Sequence, residues 1–278
     1  MNKNSIHFID NRIPFFEGSK KNVYDGNDYS TSLLYFKDTI LSNDGKSINI
    51  NEKGFINNAL SSYIFDKLNT FGFQTHYILK QNGREQLVQN LEIIPAHIHV
   101  YNAAPMHIAK PMGLSDSVML PVPVVDWFAR GDSRKKSLMS SQHFESLGIV
   151  SSDEVKDINS ISLKVNQFLI GFFAALGLQL NDVQLRFGRR YNEIIDDTEI
   201  ILGDEISLDT CYLTDMASNQ KYGFSSLHED SEISSDSYKS FLRRCPFDLM
   251  SFHSNHSFND ADIVNFKTKV KEAVQNGH

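Results

Sequence analysis

Four acidic residues follow one short apolar run: Ile200-Ile201-Leu202-Gly203 leads directly into Asp204-Glu205, with Asp209 and Asp215 close behind. The run reads as a strand ending at Gly203, so the carboxylates are expected together in the loop at its end. Hard oxygen ligands fixed at a strand end can hold Mg²⁺ against phosphate oxygens. An acidic, solvated turn is the plainer alternative. Near the other end of the chain, Gly18-Ser19-Lys20-Lys21-Asn22-Val23-Tyr24 leads through the turn Asp25-Gly26-Asn27-Asp28 to a strand at Leu33-Leu34-Tyr35-Phe36-Lys37. A strand, a Gly/Lys loop and a second strand can cover phosphates with backbone N–H groups and a lysine. In a hairpin the same residues are more often a solvated turn.

Further polar residues share faces. Gln184 and Arg186 are two apart in a strand, as are His97 and His99, and each pair points one way. His107 follows in a loop, but no carboxylate or cysteine at suitable spacing completes a metal set with these histidines, and His253-x-x-His256 is weaker still. The run Arg130 to Lys136 could face an anion, although a solvated loop explains it as well.

Several elements must position these groups. Ile56, Ala59, Leu60, Tyr63, Ile64, Leu68 and Phe71 recur at helical spacing before Gly72. Thr75 to Leu79, Gln86 to Gln89 and Ile93 to Tyr101 read as strands, so the first part of the chain is an antiparallel sheet with one packed helix. Pro105 to Pro123 reads as loop. A second helix starts at Ser151, where Ser-x-x-Glu154 forms a capping box, and buries Ile158, Ile161, Val165, Phe168, Phe172 and Leu176 before Gly177. Asp182 to Gly188 and Glu199 to Gly203 are paired strands. Ser225 to Ser240 is rich in Ser, Asp and Glu and is expected to be mobile, and a last helix is expected from Asp260, with Ile263, Phe266, Val270 and Ala273 inward.

The composition, 41% hydrophobic and 22% charged over 278 residues, is that of a globular chain long enough for about two domains or one two-lobed unit. A net charge of −7 supplies no basic field for nucleic acid. Cys211 and Cys245 are too few for a disulfide framework. The start of the chain lacks a signal peptide's apolar core, and the longest apolar run, Phe168 to Leu178, is too short to span a bilayer. A soluble cytoplasmic protein with no membrane partner is the expectation.

Taken together, these segments resemble SAICAR synthetase, the phosphoribosylaminoimidazole-succinocarboxamide synthase family. The matching residues are Gly18 and Lys21-Asn22-Val23-Tyr24, Phe36-Lys37-Asp38, Lys53-Gly54 with Asn57-Asn58, and Gly72-Phe73-Gln74-Thr75-His76. They continue through Leu91-Glu92-Ile93-Ile94-Pro95, Asn102, Phe187-Gly188 and Leu202-Gly203-Asp204-Glu205-Ile206-Ser207, with Asp209 and Asp215. Each piece is short, but the order is unbroken over about residues 14 to 215.

The resemblance implies an α+β, two-lobed fold: an antiparallel, nucleotide-binding lobe over 1–95, a larger α/β lobe with a C-terminal helix over 96–278, and ATP in the cleft between them. It implies an ATP-dependent carboxylate–amine ligase. A carboxylate resists attack by an amine until phosphoryl transfer makes it an acyl phosphate, and catalysis is then mostly positioning and charge neutralisation. In the family the acid is an aminoimidazole carboxylate ribotide and the amine is aspartate. Lys21 and Asp209 are implied as catalytic. Gly18, Lys20, Lys21, Val88, Gln184, Arg186 and Asp204 are implied at the nucleotide, with Asp204 also on Mg²⁺. Tyr101, Asn102, His107, Lys136 and Tyr212 fall at substrate positions. The small-molecule acid and amine are the partners, and a homo-oligomer is left open.

Departures from the family's pattern fall on the chemistry. Ser19 replaces a lysine and His97 a glutamate. Tyr101 and Tyr212 replace arginines, and Met106-His107 stand for a glycine and serine. Lys135-Lys136 reverse the charge of His-Asp, and Arg186 takes the place of a carboxylate expected on Mg²⁺. No segment matches the family's downstream Asp-Lys-Asp. The framework residues persist while the substrate-facing ones change, so the expectation is a ligase with substrates altered from the purine pathway and with Mg²⁺ binding weakened by Arg186. A non-catalytic nucleotide- or partner-binding homologue, and the purine enzyme itself, are the alternatives.

Overall fold

A computed structural model describes residues 12–26, 28–41, 47–115, 118–129, 137–193, 196–223 and 235–245. The expected helix over 260–278, and Lys136 with the rest of the basic run, lie outside them.

Alternating strands and tight turns build the first sheet. β1 (Phe16–Glu17), β2 (Lys21–Asp25) and β3 (Thr31–Phe36) form a meander, and β4 (Thr39–Leu41) and β5 (Ser47–Asn49) make a separate hairpin beside it. Helix α1 (Lys53–Thr70) follows, then β6 (Tyr77–Lys80) and β7 (Glu85–Gln89), which complete an antiparallel sheet of order β1-β2-β3-β7-β6. The start of α1 is held from outside: the Gly54 N–H donates to Asp38 at 2.9 Å, and Asp38 is clamped by the Arg84 guanidinium at 2.7 and 2.8 Å. Gly54 has no room for a side chain, because a Cβ there would lie 2.3 Å from the Phe36 carbonyl oxygen. The expected apolar stripe of α1 is buried from Ile56 to Leu68, but Phe71 lies past the helix end and is exposed; Asn57, Asn58, Ser61 and Ser62 on the other side are buried as well. Ser61 accepts a hydrogen bond from the Ile206 N–H and the Asn58 amide binds the Asn82 carbonyl, so the polar side of the helix is packed as well, up to its exposed last turn.

The second sheet is larger. β8 (Glu92–Ile93), β9 (Ala96–Ala103), the short α2 (Met106–Ala109), β10 (Met119–Ala129), β11 (Ser137–Met139) and α3 (Ser141–Ser146) lead to α4 (Ser152–Ala174). β12 (Leu178–Asn192), β13 (Asp197–Gly203), β14 (Cys211–Asp215), β15 (Lys221–Tyr222) and α5 (Ser235–Arg244) complete the described chain. The order is β11-β10-β9-β12-β14-β15, with β13 and β8 both pairing with the far half of β12. Antiparallel sheets plus packed helices make this an α+β fold, as expected.

α4 begins as its capping box predicts: the Glu154 N–H donates to Ser151 Oγ at 3.2 Å, and the Ser151 N–H to Glu154 Oε2 at 2.7 Å. Its buried face is Val155, Ile158, Val165, Leu169 and Phe173. Phe168 and Phe172 sit at the margin against Phe71 and Tyr63 of the first helical segment, with ring centroids 5.6 and 5.9 Å apart. One core cluster runs from Ile56 and Leu60 of α1 to Val100 of β9, Leu169 of α4 and Leu202 of β13.

Four expectations need correction. Pro95 splits the strand predicted over 93–101, because proline offers no N–H to the ladder. The stretch Pro105 to Pro123 is not all loop: β10 runs through Pro121 and Pro123, which lie where the β9 pairing slips between Met119 and Val124, so no ladder donor is missed there. β12 spans 15 residues rather than 7, since its two halves serve different partners. The last part of the segment expected to be mobile, 235–240, belongs instead to the helix Ser235–Arg244, because Tyr238 and Phe241, three apart, are buried together.

Candidate active site

The acidic cluster is built at the end of β13. The residues before β6 lie alongside that strand: His76 N–H donates to the Leu202 carbonyl at 2.9 Å and Leu202 N–H to the Gln74 carbonyl at 3.1 Å. Past Gly203 the chain turns sharply, with Asp204 in the left-handed region at φ 63°, and His76 Nε2 lies 3.0 Å from the Asp204 carbonyl. A non-glycine residue held there is strained, and such strain collects at functional sites. The following turn is tied internally. Ser207 Oγ donates to Glu205 Oε2 at 2.5 Å and accepts from the Asp209 N–H at 3.1 Å. Asp215 is not in this loop, contrary to expectation. It ends β14, where its carboxylate accepts from the Ala217 and Ser218 N–H groups and pairs with Arg244, forming a turn.

The cations arrive from other elements. In the β1–β2 turn the Gly18 N–H donates to the Lys21 carbonyl at 2.8 Å, and a Cβ on Gly18 would lie 2.9 Å from that oxygen. The turn sends Lys20 Nζ to the Asp209 carbonyl at 3.0 Å. Lys21 bonds the Asp204 carboxylate and lies 3.0 Å from Glu205 Oε1. Lys21 also lies 5.5 Å over the Phe36 ring, which packs with Leu34 and the nucleotide candidate Val88 in a small separate cluster. From β12, Arg186 Nε lies 3.0 Å from Asp204 Oδ2, opposite Gly203 in the ladder. Gln184 shares that face, and His97 fills the space between them: Nδ1 lies 2.7 Å from the Gln184 amide and Nε2 3.1 Å from an Arg186 nitrogen. Arginine can only donate, so His97 accepts at Nε2. Among the described residues no histidine, cysteine or carboxylate group could hold a metal ion as a set of three.

Two residues of this network carry no role in the sequence reading. Lys53 opens α1 and is 1% exposed, and its Nζ donates to Asp209 Oδ2 at 2.6 Å. Tyr238 of α5 donates from its hydroxyl to Asp209 Oδ1 at 2.7 Å. A lysine in the first turn of an otherwise buried helix was the available signal for Lys53, but its partner lies far away in sequence. Tyr238 sits in a segment whose composition points to disorder.

The electrostatics follow from this packing. Burial alone would raise the Asp204 pKa, but the Lys21 and Arg186 cations outweigh it and hold the carboxyl well below the usual range. For Asp209 burial is likewise outweighed, by Lys53, Lys20 and the Lys53 and Tyr238 hydrogen bonds, and the pKa falls to about 2. Burial drives His76 down to about 4 despite the nearby Asp204 charge, so this imidazole is neutral near pH 7. Burial lowers the Lys20 pKa, whereas in Lys21 the Asp204 and Glu205 charges overcome burial and raise it.

The substrate candidates divide. Tyr101 and His107 pack edge to face with centroids 5.7 Å apart, and His107 Nε2 lies 3.3 Å from Asp126 Oδ2. Tyr101 and Tyr212 both register with Asp182 from opposite sides of β12, on the face that carries Gln184 and Arg186. Asn102 is on the other face. Its amide exchanges two hydrogen bonds with Asn166 of α4, at 2.9 and 2.8 Å, so the structure does not bring it to this group.

The donor set does not fit a resident Mg²⁺. Each of the six oxygens of Asp204, Glu205 and Asp209 already lies against a protein cation or hydrogen-bond donor: Lys21 and the Arg186 ion pair on Asp204, Lys21 and Ser207 on Glu205, Tyr238 and Lys53 on Asp209. What the arrangement offers instead is a cationic cradle fixed by acids, suited to an anion such as a polyphosphate.

Comparison with known proteins identifies the family. The SAICAR synthetase family model matches residues 14–243. A phosphoribosylaminoimidazole-succinocarboxamide synthase from Novosphingobium aromaticivorans is 36% identical over 234 residues, covering 84% of this chain and 89% of the relative. The enzyme of that name from Rhizorhabdus wittichii is 35% identical over 84% of this chain and 90% of its own. A solved SAICAR synthetase in complex with ADP superposes with a TM-score of 0.75 at 29% identity, covering 87% of this chain and 99% of that one. With the family model spanning most of its length, the chain belongs to the SAICAR synthetase family.

Proposed function

We propose that this chain is an ATP-dependent ligase that joins aminoimidazole carboxylate ribotide to aspartate, the purine-pathway reaction, rather than one with altered substrates. Two things support this: relatives more than a third identical over most of both chains carry the synthase name, and a neighbour of the same fold holds ADP. The observation in the molecule that carries it is the Lys21–Asp204–Arg186 arrangement where the two sheets meet. Lys21 and Arg186 are set to neutralise the polyphosphate, and Lys20 to face the transferred group. Phosphoryl transfer to the ribotide carboxylate forms an acyl phosphate and ADP. The aspartate nitrogen then attacks the acyl carbon, phosphate leaves, and the nitrogen loses a proton. These residues contribute position and charge, which lower the barrier most in such transfers. Asp209, held by Lys53 and Tyr238, positions the Lys20 end of the cradle.

The division at residue 95 belongs to this proposal, with the first lobe holding nucleotide and the second holding acid and amine. It is supported by the five-stranded sheet, which closes before that point.

A second reading, a ligase with a different acid or amine, is favoured by one observation. Tyr101 and Tyr212 stand buried where the resemblance puts arginines, and the Tyr101 hydroxyl has no hydrogen-bond partner among the described residues. An assay of ATP, aspartate and the ribotide, followed by ADP release and product mass, tests both. Turnover supports the purine reaction. ADP release only with other acids or amines supports the second reading.

A further inference from the structure

The resemblance implies Mg²⁺, and the site is built against it. Asp204, Glu205 and Asp209 face four cationic side chains, Lys20, Lys21, Lys53 and Arg186, so the cluster carries one positive charge in excess before any ligand arrives. His76 adds no charge near neutral pH. A divalent ion seated on Asp204 would have to displace Lys21 or Arg186 from the carboxylate and then remain beside the displaced cation. Like charges a few ångströms apart repel, and these side chains, 14 to 25% exposed, are only partly screened by water. Arg186 cannot withdraw easily either, because its guanidinium is also braced by His97, which is held by Gln184. A guanidinium so placed presents donors in a fork that matches phosphate oxygens.

We propose that the nucleotide's phosphates are bound here directly by Lys21 and Arg186, with no divalent metal coordinated by the protein, so that nucleotide binding is independent of Mg²⁺. The identity of the ligand rests on the ligase reading above. Beyond that reading, Arg186 fills the place of the metal, and the surplus positive charge favours the free nucleotide anion over its metal complex.

Titration calorimetry of ATP against the full chain, in excess EDTA and in excess MgCl₂, tests this. The affinity in EDTA is expected to equal or exceed that in Mg²⁺, by up to about tenfold. In Arg186→Glu, affinity in EDTA falls by at least about tenfold and Mg²⁺ restores it, because the new carboxylate both repels phosphate and supplies a metal ligand. In Arg186→Gln affinity falls in both buffers alike. Thermal unfolding without nucleotide checks that each variant is folded, and the wild-type comparison with Arg186→Gln decides the matter if Arg186→Glu is not. Binding of ATP by the wild type only in Mg²⁺, or measurably tighter there than in EDTA, overturns the inference while leaving the ligase reading intact. Absence of ATP binding in both buffers overturns the two together.

Discussion

Lys53 begins α1 with its positive charge at the end of a helix where the backbone dipole disfavours a cation. It is tolerated because Asp209 meets it at 2.6 Å in a buried pair. Removing one partner of such a pair leaves the other charge uncompensated. Lys53→Met is therefore expected to destabilise the fold by about 3–5 kcal/mol in urea unfolding, and adding Asp209→Asn to recover part of the loss. A loss under about 1 kcal/mol for the single variant would show that Asp209 is neutralised some other way. His76 makes a separate claim. Its folded pKa is about 4 against an ordinary 6.5, so between those values the unfolded chain takes up a proton that the folded chain refuses. Stability should fall as the pH drops from 6.5 to about 4, by roughly 3 kcal/mol in all. His76→Gln should flatten the denaturant midpoint across that window, and an unchanged slope would place the titration elsewhere.

At the scale of elements, β12 joins two pieces of sheet. Its first half pairs with β9 and β14, its second with β13 and β8, and Arg186 sits at the changeover, opposite Gly203. Gly188 lies just beyond, and a Cβ there would meet Leu91 at 2.7 Å, so only glycine lets the β8 segment cross so closely. α5 closes the cluster from the other side by bringing Tyr238 onto Asp209. Tyr238→Phe keeps the ring and removes one hydrogen bond to a carboxylate, a loss of about 1.5–3 kcal/mol. Hydrogen exchange should then show α1 and the turn before β14 opening more readily, while α4 keeps its protection. Equal loosening of α4 would mean that α5 supports the whole core and not this cluster.

Over the whole molecule, the site draws on both sheets: Lys21 from the first, and Arg186 with the acids from the second. A ligand that binds across them stabilises the folded chain by mass action. ADP at about a hundred times its dissociation constant should add about 2.7 kcal/mol to unfolding. Melting curves with and without ADP measure it, and the gain should disappear in a variant lacking the Lys21 side-chain charge, Lys21→Met. A gain that survives in Lys21→Met would put the nucleotide somewhere other than this cradle. None of the helices among the described residues is long and apolar enough to cross a membrane.

Local features were legible because contiguous residues carry them. The Ser151–Glu154 box marks the start of α4, the 3.6-residue spacing marks α1, and the alternation of Gln184 and Arg186 puts both on one face. The ordered motifs from Gly18 to Asp209 identified the family, and its α+β fold came with it. Tertiary structure alone decided what each charge meets. Lys21 and Asp204 are 183 residues apart, and Lys53 and Asp209 are 156 apart, so no local pattern encodes their pairing. It likewise decided that Asn102 turns to α4, that Asp215 makes a turn, and that Tyr238 is ordered by burial against a carboxylate. The reason is physical: caps and periodicity are satisfied within a few residues, whereas a buried charge takes whatever partner the folded chain delivers to it.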